Sequence, residues 1–121
     1  MPFIIRLLVN AAALWVATQI IPGIAIGGTN YLVTLLVVAL IFGVVNALVK
    51  PILTILTLPI TILTLGLFIF ILNALMLLLT SAIAGALGLD FRVNGFIPAL
   101  LGAIVIGIVS FILSHLLPDR L

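Results

Sequence analysis

The ionisable side chains of this sequence are too few and too scattered to form a familiar catalytic site. The acidic residues are Asp90 and Asp119, so no two carboxylates share one apolar segment for acid/base catalysis or proton relay. His115 is the single histidine and there is no cysteine, so the usual metal-ligand sets are absent. We expect His115 to cap its helix or to lie at a membrane interface. The sequence predicts no enzyme, no metal site and no cofactor.

Three asparagines, Asn10, Asn46 and Asn73, lie inside long apolar segments. A carboxamide that faced acyl chains would have no hydrogen-bond partner, so each should point at another helix or at water. The interpretation that we favour is hydrogen bonding between helices. The alternative is a polar permeation site.

Threonine recurs in the segment that follows Pro51. On a helix with 100° per residue, the four threonines fall within about 80° of one another and form one stripe. Their hydroxyls could simply bond back to carbonyls of their own helix. The alternative is a stripe that lines water or binds a partner. The stripe consists of Thr54, Thr57, Thr61 and Thr64.

The composition places the chain in a membrane. Of its 121 residues, 67% are hydrophobic and 5% are charged, with a mean hydropathy of +1.72. A soluble domain has about a quarter of its residues charged. Residues 51–89 contain no ionisable side chain, whereas a transmembrane helix needs only about 20 apolar residues. With four basic residues in all, nothing indicates a nucleic-acid-binding surface.

The apolar segments predict an all-α integral membrane protein with four transmembrane helices. Pro22-Gly23 should end the first span, which we interpret as retained and not as a cleaved signal peptide. Pro59 should prevent one straight helix from Pro51 onward, so a short interfacial or re-entrant helix is expected between spans 2 and 3. The expected spans are about 3–21, 31–49, 60–84 and 96–117, with the short helix at about 51–57.

The basic residues predict the orientation. With a cytoplasmic N-terminus, Arg6, Lys50 and Arg120 lie inside and Arg92 lies outside. Cytoplasmic loops carry an excess of Lys and Arg, so both termini should be cytoplasmic. Lys50 is placed to extend its ammonium group to the interface.

The chain also repeats itself. Asn10-Ala11 corresponds to Asn73-Ala74 at an offset of 63, and Ala39, Gly43 and Asn46 correspond to Ala103, Gly107 and Ser110 at an offset of 64. Coincidence among apolar residues is the alternative to duplication. We predict a single membrane domain, 1–121, in which two helical hairpins are related by an axis along the membrane normal. The first repeat is about 3–50, the linking helix about 51–58 and the second repeat about 60–117.

Small residues recur at every fourth position on the second and fourth spans. In lipid, helices associate through close backbone approach at such positions, so these two faces should pack against other helices. The spacing leaves open whether the contact is within one chain or between chains. The residues are Ala39, Gly43 and Ala47 on the second span and Ala99, Ala103 and Gly107 on the fourth.

Four central runs form a signature: Asn46-Ala-Leu-Val-Lys-Pro-Ile-Leu53, Leu56-Thr-Leu-Pro59, Leu63-Thr-Leu-Gly-Leu-Phe68 and Asn73-Ala-Leu-Met76. This signature closely resembles that of the YvlD-like bacterial membrane proteins, which are labelled a four-span phage holin family. The outer loops resemble the family as well, so the resemblance covers nearly the whole chain. It implies a bacterial cytoplasmic (inner) membrane protein, and the label implies phage-type membrane permeabilisation.

Two functions from different classes remain open at this point. The first is a non-catalytic membrane protein with a structural or accessory role in a larger membrane complex, or a role in envelope homeostasis, which needs only lipid-compatible helices and small-residue contact faces. The second is a holin-like oligomer that opens a lesion lined by the threonine and asparagine positions. A wet pore needs a more continuous polar face than these residues supply, so we favour the first. The expected partners are the lipid bilayer and either further copies or a larger membrane complex.

Overall fold

A computed structural model describes residues 2–28, 30–64 and 66–117. Over those ranges the chain forms six helices and two short strands, numbered here in chain order. They are α1 (Phe3–Ile20), β1 (Ile24–Ile26), α2 (Tyr31–Leu48), α3 (Lys50–Leu56), α4 (Leu58–Leu63), α5 (Phe68–Ala86), β2 (Phe91–Val93) and α6 (Phe96–Leu116).

Four helical stretches are long and apolar enough to cross a membrane, which confirms the predicted four-span, all-α class. They are Phe3–Ile20, Tyr31–Leu56, Phe68–Ala86 and Phe96–Leu116. The second stretch joins α2 to α3 through Val49. Pro51 has no backbone N–H and its ring crowds the preceding turn, which explains why the helix is interrupted there.

The four long helices close into a ring. Helix α1 packs against α2 and α6, and α5 packs against the same two helices. The interior is made of well-buried small and aliphatic side chains, among them Leu14, Val38 and Leu77, each with 0% exposure. The exterior is apolar as well, as expected where the surrounding solvent is lipid.

The two loops between paired spans form an antiparallel β ribbon, which the sequence did not predict. Ala25 pairs with Arg92 at its centre, flanked by Ile24 with Val93 and Ile26 with Phe91. The buried side chains, Ile24 and Phe91, are each 2% exposed and pack into the end of the bundle. Three-residue strands from loops this far apart in the chain leave almost no local signal.

The start of the third span differs from the prediction. The expected span at about 60–84 begins at Phe68, because Leu58–Leu63 forms the separate helix α4. Gly66 ends α4: its φ is +87° and its N–H donates to the Thr61 carbonyl at 2.8 Å, a helix-terminating geometry that favours glycine. The Thr64 hydroxyl accepts the Phe68 N–H at 3.2 Å and starts α5. The predicted helix at 51–57 corresponds to α3, so two short helices, α3 and α4, link α2 to α5.

Candidate functional site

One polar side chain from each long helix lines a common cavity at the end of the bundle away from the ribbon. These are Asn10 of α1, Asn46 of α2, Asn73 of α5 and Ser110 of α6, and Lys50 joins them from the start of α3. The cavity, here called the central cavity, has a volume of about 170 Å³. Apolar side chains, including Phe42 and Ile106, complete its wall.

Helical periodicity places the asparagines of α1 and α5 on the inner faces of their helices. Asn10 precedes the buried Leu14 by four residues and Ala17 by seven, so all three lie on one stripe. Asn73 stands in the same relation to the buried Leu77 and Thr80. The stripes that build the apolar core therefore also carry the carboxamides inward.

Asn46 has an unpaired acceptor. Within the described ranges, its Oδ1 is the one fully buried side-chain oxygen or nitrogen that has no hydrogen-bond partner. A buried acceptor left unpaired costs free energy, so a donor close to Asn46 Oδ1 would stabilise the fold. Lys50 lies four residues further along the chain, one helical turn away.

A larger groove opens between α1 and α2 and shares Asn10 and Asn46 with the central cavity. This groove, here called the lateral groove, has a volume of about 380 Å³. It exists because α2 presents Ala39, Gly43 and Ala47 towards α1, so no large side chain fills the space. A Cβ at Gly43 would stand 3.3 Å from Asn10 Nδ2.

The small residues predicted on the fourth span, now α6, do not form a groove like that of α2. Ala99 and Ala103 are buried among the helices of the same chain, with 0% and 4% exposure. Gly107 lines the central cavity, and a Cβ there would meet no described atom within 4 Å. The closest approach on α6 is instead at Gly102, where Ile24 occupies the position that a Cβ would take.

The threonine stripe faces the protein and is largely bonded to its own backbone. The hydroxyls of Thr57, Thr61 and Thr64 donate to carbonyls three or four residues earlier, at 2.7, 3.1 and 3.2 Å. Thr61 is buried, and Thr54 is half-buried. Ile55 and Leu63 on the opposite side are 71% and 84% exposed. The link between spans therefore presents an apolar outer face.

The charged groups separate to the two ends of the bundle. Arg6 lines the lateral groove and Lys50 the central cavity, both at the end opposite the ribbon. At the ribbon, Arg92 Nε lies 4.0 Å from Asp90 Oδ1 in an exposed pair that contributes little stability. Arg120, the third residue of the orientation prediction, lies outside the described residues.

The described residues of this site do not include a group of side chains of the kind that binds a catalytic metal ion. Residues 2–28, 30–64 and 66–117 hold no cluster of three or more His, Cys, Asp or Glu side chains that could bind a metal ion. His115 Nδ1 donates to the Phe111 carbonyl at 2.8 Å, and its ring stacks at 4.2 Å on that of Phe111. This histidine therefore bonds back to its own helix near the C-terminal end of α6.

The fold and site define a small, multi-pass α-helical membrane protein in which each long helix contributes one polar side chain to a common cavity. Residues 1–112 match the family described as "Mycobacterial 4 TMS phage holin, superfamily IV". The chain belongs to this holin-like, four-span membrane family.

Two relatives extend over almost the whole chain. The uncharacterized protein SCO3922 of Streptomyces coelicolor is 49% identical over 120 residues, covering 97% of this chain and 96% of that protein. The uncharacterized membrane protein YvlD of Bacillus subtilis is 34% identical over 110 residues, covering 91% and 87%. No solved structure matches the chain. The resemblance seen in the central signature is thus confirmed at the level of the family.

Proposed function

We propose that this protein is a non-catalytic component of the bacterial cytoplasmic membrane, with a structural or accessory role or a role in envelope homeostasis. The observation that carries the proposal is the direction of its polar side chains: one from each long helix lines the central cavity. A lesion shared between chains needs polar residues on outer helix faces, where they can line water. The outer faces here carry large apolar side chains such as Leu32, Leu101 and Phe111.

The threonine stripe supports the same proposal. Hydroxyls that already donate to their own helix carbonyls, at Thr57, Thr61 and Thr64, need no water or partner. They also face the protein, while the apolar side of α3 and α4 faces outward. A pore lined by this stripe would require both short helices to rotate.

The two-hairpin organisation is part of the proposal. We take 3–50 and 60–117 as repeats in one membrane domain, linked by the helix at about 51–58. The antiparallel ribbon agrees with a two-fold axis through the Ala25–Arg92 pair, since β1 and β2 show the same order of buried, exposed and half-buried residues. The corresponding residues Asn10 and Asn73 lie around one cavity, as such an axis requires.

Orientation and assembly complete the proposal. With the Arg6 and Lys50 end in the cytoplasm, both termini are cytoplasmic and the ribbon faces outward across the membrane. The apolar outer faces fit a partner within the bilayer, either further copies or a larger complex. Purification from native membranes in a mild detergent should therefore recover the chain in an assembly larger than one copy.

The alternative function is a holin-like permeabilising oligomer, which the family description favours. Measurements of membrane potential distinguish the two functions. A potential-sensitive dye reports the potential while the protein is induced at graded levels in a bacterial host, and an ionophore serves as positive control. We expect an intact potential at high, correctly inserted levels. The Thr54/Thr57/Thr61/Thr64→Val variant should behave identically. An abrupt collapse at a threshold level, lost or delayed in the variant, would contradict the structural role.

A further inference from the structure

The lateral groove has the shape and position of a lipid site. It begins near the start of α1, beside Arg6 and Ala47, and runs along the helices past Asn10 and Gly43 to Leu40. Because α1 and α2 are antiparallel, this path leads from the end of the bundle towards the middle of the spans. Leu40 and Val44 on its edge are 38% and 45% exposed, so the groove opens sideways onto the acyl chains.

The basic side chains in and beside the groove favour an anionic ligand. Arg6 lines its mouth, and Lys50 lines the central cavity with which it shares Asn10 and Asn46. Asp90, the acidic residue that the structure describes, lies at the opposite end of the bundle beside β2. Basic pockets between transmembrane helices near a membrane surface are suited to the phosphate of anionic lipids.

The unpaired acceptor narrows the choice of headgroup. Asn46 lines both spaces, and its buried Oδ1 lacks a donor, which a phosphate alone does not supply. An ammonium headgroup would supply one, but Arg6 and Lys50 repel it. A phosphate ester that carries free hydroxyl groups meets both requirements, and the glycerol headgroup of phosphatidylglycerol is of that type.

We propose that the lateral groove binds an anionic glycerophospholipid with a hydroxylated headgroup, of the phosphatidylglycerol type. The phosphate pairs with Arg6, a headgroup hydroxyl donates to Asn46, and one acyl chain lies along Leu40 and Val44. This site goes beyond the proposed structural role and applies equally if the protein permeabilises membranes.

The test is lipid retention by the purified full-length protein in detergent, measured by native mass spectrometry with phosphatidylglycerol and phosphatidylcholine of identical acyl chains. We expect clear preference for phosphatidylglycerol. Arg6→Gln should weaken its retention about five-fold, the effect of one basic residue near a lipid phosphate. Arg92→Gln removes the same charge at the other end of the bundle and should have no effect. Equal retention of the two lipids, or equal effects of the two variants, would overturn the proposal.

A second pair of variants tests the groove itself. Gly43→Leu fills the space beside Asn10 and should abolish the preference, whereas Gly85→Leu adds the same side chain on an exposed face of α5, where a Cβ meets no described atom within 4 Å. Far-UV circular dichroism is the check that both variants keep their helical content. Competition by soluble glycerol phosphate would show a site for the free anion and not for lipid. A Gly43→Leu variant that changes oligomeric mass and leaves lipid retention intact would show that the groove is an interface between copies.

Discussion

Gly102→Leu is expected to destabilise the protein by about 3 kcal/mol, the upper part of the range for overpacking a core. A Cβ at this position would overlap the Ile24 side chain and stand 3.0 Å from Leu77 Cδ2. Ile24 has little freedom to move away, because it is 2% exposed and belongs to the β ribbon. Unfolding in detergent with increasing sodium dodecyl sulfate measures the difference in free energy.

The matched control is Gly85→Leu, which places the same side chain where a Cβ meets no described atom within 4 Å. It should leave the stability nearly unchanged. The double variant Gly102→Leu/Ile24→Ala empties the space that Ile24 occupies and should recover part of the loss. Equal effects of the two leucines, or no recovery in the double variant, would argue against the packing of α6 on the ribbon.

Asn46→Leu is expected to stabilise the protein in lipid-free detergent by about 1 to 3 kcal/mol, the cost of leaving a buried acceptor unpaired. Leucine is close to asparagine in shape and removes the oxygen that has no partner. The sign of this effect is unusual, because most substitutions on inner helix faces destabilise. The same unfolding titration measures it.

Thr80→Val provides the comparison. Thr80 is 0% exposed and its hydroxyl donates to the Met76 carbonyl at 2.8 Å, so its polar group is satisfied. Valine should therefore lower the stability slightly, by about 1 kcal/mol or less. If Asn46→Leu destabilises the protein in the same way, Asn46 Oδ1 has a partner in the folded protein and the unpaired acceptor is disproved.

The spans could be predicted because length and hydropathy are local properties of the sequence. Length and hydropathy do not predict the structure of the loops. The ribbon depends on pairing between 24–26 and 91–93, which no local pattern encodes. The start of α5 depends on Gly66 with positive φ and on the Thr64 hydroxyl, and a threonine-rich apolar run gives no sign of where such a turn falls.

The polar site could be predicted only in part. The cost of burying a carboxamide predicts that Asn10, Asn46 and Asn73 avoid lipid, but only the packing of four helices places them around one cavity. Lys50 also lines that cavity, and the extension of its ammonium group to the interface stays a prediction. Gly102 was missed because it lies outside the regular spacing of small residues, and its role comes from Ile24 of the unpredicted ribbon.

The central claim is that one chain closes on itself and brings one polar side chain from each long helix to a common cavity. An engineered disulfide tests it most directly. The chain has no cysteine of its own, so any disulfide that forms within it must join the introduced cysteines. Ala25 and Arg92 are register partners in the ribbon and both are exposed. Directly paired strand residues lie within about 6 Å, inside the range that a disulfide can bridge.

The measurement is oxidation of Ala25→Cys/Arg92→Cys in native membranes, followed by non-reducing electrophoresis. Ala25→Cys/Ile55→Cys serves as the control, because Ile55 lies on α3 at the other end of the bundle. The account predicts an intrachain product of monomer size for the first pair at every expression level, and none for the control. Disulfide-linked dimers that increase with expression, without an intrachain product, would show that the hairpins pair between chains and would contradict the closed bundle.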